Sequence, residues 1–209
     1  MTRARTLALA VLLTFALLFT TAIAQDISGS LSGTLGPGTY NVVGNCQVDA
    51  GQSLTIEPGT TFLFAGHYSL KVYGALHAVG AEADSIVFKR QQATSTCEWS
   101  GIRFMAGCSP NSILSYARLE WAKYHTYPDY NGGAVYIEED GITISHCYIK
   151  NNYASSGGGM YINNVMSATI TDCIFLANEA GNGGGMYINN SQYVTVDNSI
   201  IAKNKSTST

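Results

Sequence analysis

Apolar and polar residues alternate with period two through much of the last third of the chain. Val135-Tyr136-Ile137 is one such run, and Ile142-Thr143-Ile144, continuing to Ile149, is another. Both are rich in β-branched and aromatic side chains, and a polar break, Glu138-Glu139-Asp140-Gly141, separates them. This alternation predicts short strands with one buried face. No stretch there carries an apolar stripe at helical spacing with caps.

The pattern recurs. From Gly132 the chain reads GGAVYIEEDGITISHCYIKNN, from Gly157 GGGMYINNVMSATITDCIFLAN, and from Gly183 GGGMYINNSQYVTVDNSIIAKN. Tyr136, Tyr161 and Tyr187 correspond at steps of 25 and 26, and Ile144, Ile170 and Val196 at steps of 26 and 26. The first copy is one residue shorter, and the deletion falls in the polar break, which marks that break as a turn. A fixed period in this range predicts a solenoid. Leucine is nearly absent from the copies, against a leucine-rich repeat, and two β-type runs per copy predict an all-β, right-handed parallel β-helix. The clear repeats are residues 132–156, 157–182 and 183–209. Each forms one coil, and coils stack at about 4.8 Å, so like residues stand above like.

Alternation assigns the faces. Val135, Met160 and Met186 point inward with Ile137, Ile162 and Ile188. Cys147, Cys173 and Ser199 continue the interior, followed by Ile149, Phe175 and Ile201. Tyr136, Tyr161 and Tyr187 form an outward column, as do Thr143, Thr169 and Thr195. Asn152, Asn178 and Asn204 fall where the chain must turn, and their amides are suited to hydrogen-bonding up the stack. Upstream the repeat decays, yet LTIEPGTTFLF, LKVYGALHAVG, SIVFKR, WSGIRF and ILSYARLEWA read as strand segments. About six coils fit between Leu54 and the end at this period. Residues 53–209 are therefore assigned to the solenoid and residues 25–52 to an N-terminal cap over its first coil. No capping segment follows Asn204, so the C-terminus is expected to be truncated, and an open last coil predicts end-to-end self-association.

Residues 1–24 carry Arg3, Arg5, an apolar run from Leu7 to Phe19 and Ala22-Ile23-Ala24, the pattern of a secretory signal peptide. A secreted or cell-surface location follows. The run is too short for a membrane span, and no later stretch is long enough. Without Arg3 and Arg5 the 11 basic residues fall to nine, against 14 acidic. That balance argues against a nucleic-acid partner. All five cysteines lie beyond the signal, where export permits disulfides. Cys97 and Cys108 flank WSGIRF and are the candidate disulfide. Cys147 and Cys173 are expected as stacked buried thiols, since in-register side chains point the same way. The sequence has no CxxC and no Cys/His cluster at zinc spacing, so no structural metal site is expected.

The chain resembles known families at these residues. GGAVYI, GGGMYI and Phe175-Leu176-Ala177-Asn178 resemble the GGA[ILV] and FxxN tandem motifs of polymorphic outer-membrane-protein-type β-helices. More broadly, LTIEPGTTFLF, the V-x-G-x-L of Val72–Leu76 and WSGIRF resemble secreted β-helix proteins of the pectin-lyase-like superfamily. The FxxN phenylalanine is matched at Phe175, with Ile149 and Ile201 in its place elsewhere. The resemblance spans roughly residues 54–204 and implies a surface-exposed or secreted passenger domain, while leaving the chemistry open.

Two functions remain in view. As an enzyme of the lyase or glycosidase type, the chain needs carboxylates gathered on neighbouring coils. Glu138-Glu139-Asp140 reads as a solvated turn, with weak calcium binding as its alternative. Asp172 and Asp197 lie on neighbouring coils but one register apart, so they are expected to diverge. His67, His77, His125 and His146 are scattered. No catalytic residue and no cofactor are assigned. As a rigid stalk or adhesin, the chain offers aromatics that stack on sugars or enter protein interfaces. The candidate binding residues are Trp121, Tyr124, Tyr127 and Tyr130, crowded in one loop, and the column Tyr136, Tyr161 and Tyr187, whose rings also suit simple cross-strand packing. The expected partners are polysaccharides or surface proteins. A single Thr column is too little for an ice-binding face.

Overall fold

The computed structural model describes residues 24–208 apart from residue 95 and residues 124–129. Every strand ladder among them is parallel. The chain winds through three long faces and a short fourth, each strand bonding to its equivalents one coil below and one above. The first face runs from residues 46–48 through Leu70–Val72, Ile102–Phe104, Val135–Ile137 and Met160–Asn163 to Met186–Asn189. The second runs from Gly33–Leu35 through Ser53–Ile56, Ala75–Val79, Ile113–Ser115, Ile142–Ser145 and Ala168–Thr171 to Val194–Asp197. The third runs from residues 38–42 through Thr60–Phe64, Ile86–Arg90, Ala117–Glu120, Tyr148–Lys150 and Ile174–Leu176 to Ile200–Ala202. Tyr153–Ser156, Glu179–Asn182 and Lys205–Ser206 form the short fourth sheet.

The three repeats stack as the alternation predicts. Val135 pairs with Met160 and Met160 with Met186. Thr143, Thr169 and Thr195 share one row, and Ile149, Phe175 and Ile201 another. The missing residue of the first copy lies in the turn between Val135–Ile137 and Ile142–Ser145. Six windings run from residue 46 onward. Residues 25–48 are wound in register beneath them, since Gln25–Ser30 and Gly38–Val48 pair in parallel with each other and Gly38–Val48 pairs with the strands above. The segment read as a cap is thus built from the same ladders as the coils.

Inward residues fill the tube. Tyr40, Phe62 and Phe88 stack face to face, at 5.7 Å and 4.9 Å between ring centroids. Trp99, fully buried, closes the layer 4.5 Å from Phe64 and donates its indole N–H to Glu120 O. Burying each such ring contributes about 1.5–3 kcal/mol. Where the third face ends, Asn152 and Asn178 enter the core with side chains that bridge coils: Asn152 Nδ2 donates to Leu119 O and to Asn178 Oδ1. At the next corner, beyond the short fourth sheet, Gly132, Gly157 and Gly183 all take positive φ, and a Cβ on any of them would press on the backbone carbonyl three residues on.

Candidate functional site: the Trp121 corner

Ala117–Glu120 directs Ala117 and Leu119 into the core and leaves Arg118 and Glu120 outside. At Trp121 the chain turns with φ at 63°. The equivalent positions on the next coils, Asn151, Ala177 and Lys203, adopt the same left-handed conformation. It is costly for a bulky residue. It is held because Ala122 must turn inward: the Ala122 N–H donates to Asn152 Oδ1 at 2.8 Å, and the Trp121 N–H to Lys150 O at 3.3 Å. The Trp121 side chain is thereby thrown outward, 39% exposed. The Arg90 guanidinium lies over its ring, 4.1 Å from the centroid. Lys89, Arg90, Gln91, Gln92, Ala93, Glu120 and Trp121 line an open cleft of about 400 Å³.

More cations and rings surround this corner. Arg118 pairs with Glu120 at 2.7 Å and lies 5.5 Å from the ring of Tyr148 on the coil above. Lys150 flanks the same ring at 5.9 Å. Lys123 lies 5.1 Å over Tyr153 and 3.7 Å from Glu98. Each contact is worth about 0.5–1 kcal/mol at an exposed site. Together they hold long, mobile side chains in place.

The other expected residues fall as follows. Tyr124 and Tyr127 lie outside the described residues, as does His125. Tyr130 is 42% exposed, and its carbonyl accepts from Ser155 N–H. Tyr136, Tyr161 and Tyr187 stack at 5.6 Å and 5.5 Å. Stacking leaves Tyr136 8% and Tyr161 7% exposed, so these two rings are buried in the column and not presented outward, and Tyr187 at its end is half-buried. The buried Arg103 guanidinium closes the column 4.6 Å from Tyr136 and donates to the carbonyls of Ser100, Asn131 and Gly132. The Thr column extends down to Thr55 and Thr34, interrupted by His77 and Ile113.

The disulfide expected between Cys97 and Cys108 is not formed; all five cysteines are buried free thiols. The two residues sit beyond opposite ends of Ile102–Phe104, an extended strand that holds them apart. Cys97 Sγ lies 3.5 Å from Ala65 O, and Cys108 lies against Ser109 O. Burial pushes the Cys46 thiol up to about 11. Burial and the nearby Glu139 charge push Cys108 up to about 12. Cys147 is raised by complete burial beside Cys173. Buried thiols raised in this way pack as small hydrophobes, whereas Cys173 is held below the usual thiol range, chiefly by its hydrogen bond with Cys147.

The acidic candidates have structural partners. Glu139 accepts from the N–H groups of Gly107 and Asp140, and Asp140 accepts from Met166 N–H. No group of three His, Cys, Asp or Glu side chains is placed to hold a metal ion among the described residues. Asp172 sits at a corner, accepting from Asn198 and lying 3.8 Å from His146 Nε2. Asp197 lies on a strand beside Thr171, so the two carboxylates occupy different positions. His146 stacks on Tyr116 at 4.4 Å, and with Glu82, Ser85 and Asp172 they line a second open cleft of about 460 Å³.

Sequence reasoning singled out Trp121 but passed over Lys89, Arg90, Arg118 and Lys150. Alternation with Phe88, Leu119 and Ile149 marks Lys89, Arg118 and Lys150 as outward, whereas Arg90, two residues beyond Phe88, leaves the alternation where the strand ends. What hid their alignment is the longer spacing of the middle coils, about 30 residues from Glu120 to Lys150 and 31 from Lys89 to Glu120.

Among known families, one described as right handed beta helix region matches residues 100–208, just over half of the chain. No curated protein and no solved structure matches it.

Proposed function

This chain belongs to the right-handed beta helix family, and from that premise we propose a non-catalytic, secreted or cell-surface stalk whose third face is an adhesive, glycan-binding surface. The signal-like residues 1–24 and the resemblance to pectin-lyase-like and polymorphic outer-membrane-protein-type β-helices support the location. The observation that carries the binding role is Trp121: an indole forced into solvent by a strained turn and braced by Arg90. Strain of this kind, of about 1–3 kcal/mol, persists where the surroundings enforce it and clusters at functional positions. A rigid aromatic at the mouth of a polar cleft is suited to stacking on a sugar ring.

The second reading is a polysaccharide-cleaving enzyme. The cleft of Glu82, Tyr116, His146 and Asp172 favours it, because it gathers two carboxylates and an imidazole around open space. A glycan array separates the two. The protein is expected to bind at least one glycan class, with Trp121→Ala lowering the signal about tenfold or more, as loss of a ring-stacking anchor does. Glycan binding that ignores Trp121→Ala, or release of unsaturated or reducing sugar ends from pectin or alginate that His146→Ala abolishes, would overturn the adhesive reading.

A further inference from the structure

Positive charge is concentrated on one side of an acidic molecule. Nine basic residues follow Ala24, and five of them, Lys89, Arg90, Arg118, Lys123 and Lys150, surround the end of the third face on three consecutive coils. Among the described residues the carboxylates of Glu120 and Glu98 share that surface, engaged with Arg118 and Lys123. No ion pair among the described residues takes Lys89, Arg90 or Lys150. Arg90, Arg118, Lys123 and Lys150 lean on Trp121, Tyr148 and Tyr153. These aromatic contacts pre-order cationic side chains that would otherwise lose rotamer freedom on binding.

We infer that this face binds an anionic glycan laid along the solenoid axis. The inference rests on the glycan-binding reading above and names its ligand class. Coils rise about 4.8 Å apiece, so a linear polymer lying along the axis meets a cation on every coil it crosses. Arg90 presents its charge on the lowest of the three coils, Arg118 on the next and Lys150 on the third. Between them the exposed part of Trp121 and the edge of Tyr148 offer apolar surface to sugar C–H groups. The Gln91 and Gln92 amides line the same cleft and are suited to hydroxyls. Charge complementarity selects carboxylated or sulfated sugars over neutral ones. The rings and amides select sugars over a bare polyanion, and the acidic remainder of the chain disfavours nucleic acid.

The test is a binding titration of the purified chain against polygalacturonate, dextran sulfate, neutral dextran, polyglutamate and single-stranded DNA. The first or second is expected to bind, and the tighter one identifies carboxylate or sulfate as the anion. Affinity should fall roughly tenfold between about 50 and about 300 mM salt, as screening of exposed charges requires. Arg118→Gln with Lys150→Gln should weaken binding by about tenfold, and Lys89→Gln should weaken it independently, while Lys71→Gln on the first face changes nothing. Melting curves verify that each variant is folded. Neutral dextran bound as tightly, with no effect of the variants, would overturn the anionic assignment while leaving the glycan reading standing. No binding to any glycan would remove both. Polyglutamate or DNA bound as tightly as the best glycan would show a general polyanion surface and overturn the glycan assignment.

Discussion

Asn178 shows how much of this molecule depends on single amides. Its Nδ2 donates to Ile149 O and Asn204 Oδ1, and its Oδ1 accepts from the backbone N–H and the Nδ2 of Asn152. Asn152 and Asn178 are out of solvent, and Asn204, on the last coil, is half-buried. Deleting the amide leaves the buried Asn152 N–H without its partner, at a cost of about 1–3 kcal/mol, and also removes the side-chain bonds to Ile149 O and Asn204 Oδ1. Asn178→Ala is therefore expected to destabilise the fold by about 3 kcal/mol or more in urea denaturation. Asn41→Ala, which removes the exposed hydrogen bonds of Asn41 to Asp26 and Gln91, should cost no more than about 0.5 kcal/mol. Equal effects would mean that the asparagine ladder is not a structural spine. The repetition of Asn152, Asn178 and Asn204 was legible in the sequence because the period placed them at one corner. The conformation of Trp121 was not, because nothing in a Trp-Ala dipeptide announces a positive φ; it is imposed by Asn152 on the neighbouring coil.

At the scale of elements, the corners are set by how closely coils approach. Gly158 packs so tightly that a Cβ there would lie 2.4 Å from Glu179 O and 2.5 Å from Gly184 O. Both obstacles are backbone, and neither can rotate aside. Gly158→Ala should therefore cost about 1–3 kcal/mol, the usual penalty of overpacking, measured as a lowered melting temperature. An unchanged melting temperature would place the coils farther apart than described here. The doubled glycines and period-two runs made the last three coils legible. The earlier coils were harder to delimit because their turns vary in length, with long connections such as residues 91–101 breaking the period. The same irregularity misled the disulfide expectation. Proximity along the sequence of Cys97 and Cys108 says little when an extended strand runs between them.

Across the whole molecule, the parallel ladders turn a sequence with few basic residues into a surface with an oriented row of them. Neither Lys89, Glu120 nor Lys150 means much alone; the register that stacks Lys89 under Glu120 and Glu120 under Lys150 creates the face. The binding face exists only if that stacking does. The most direct test is a distance between spin labels at Thr55 and Thr195, two positions on one outward row of the second face, five coil steps apart. An in-register parallel stack places their backbones about 24 Å apart, with a narrow distribution broadened only by the label arms. A distance beyond about 40 Å, or a spread covering the whole range of a collapsed chain, would contradict the stacked parallel coils on which the binding face depends.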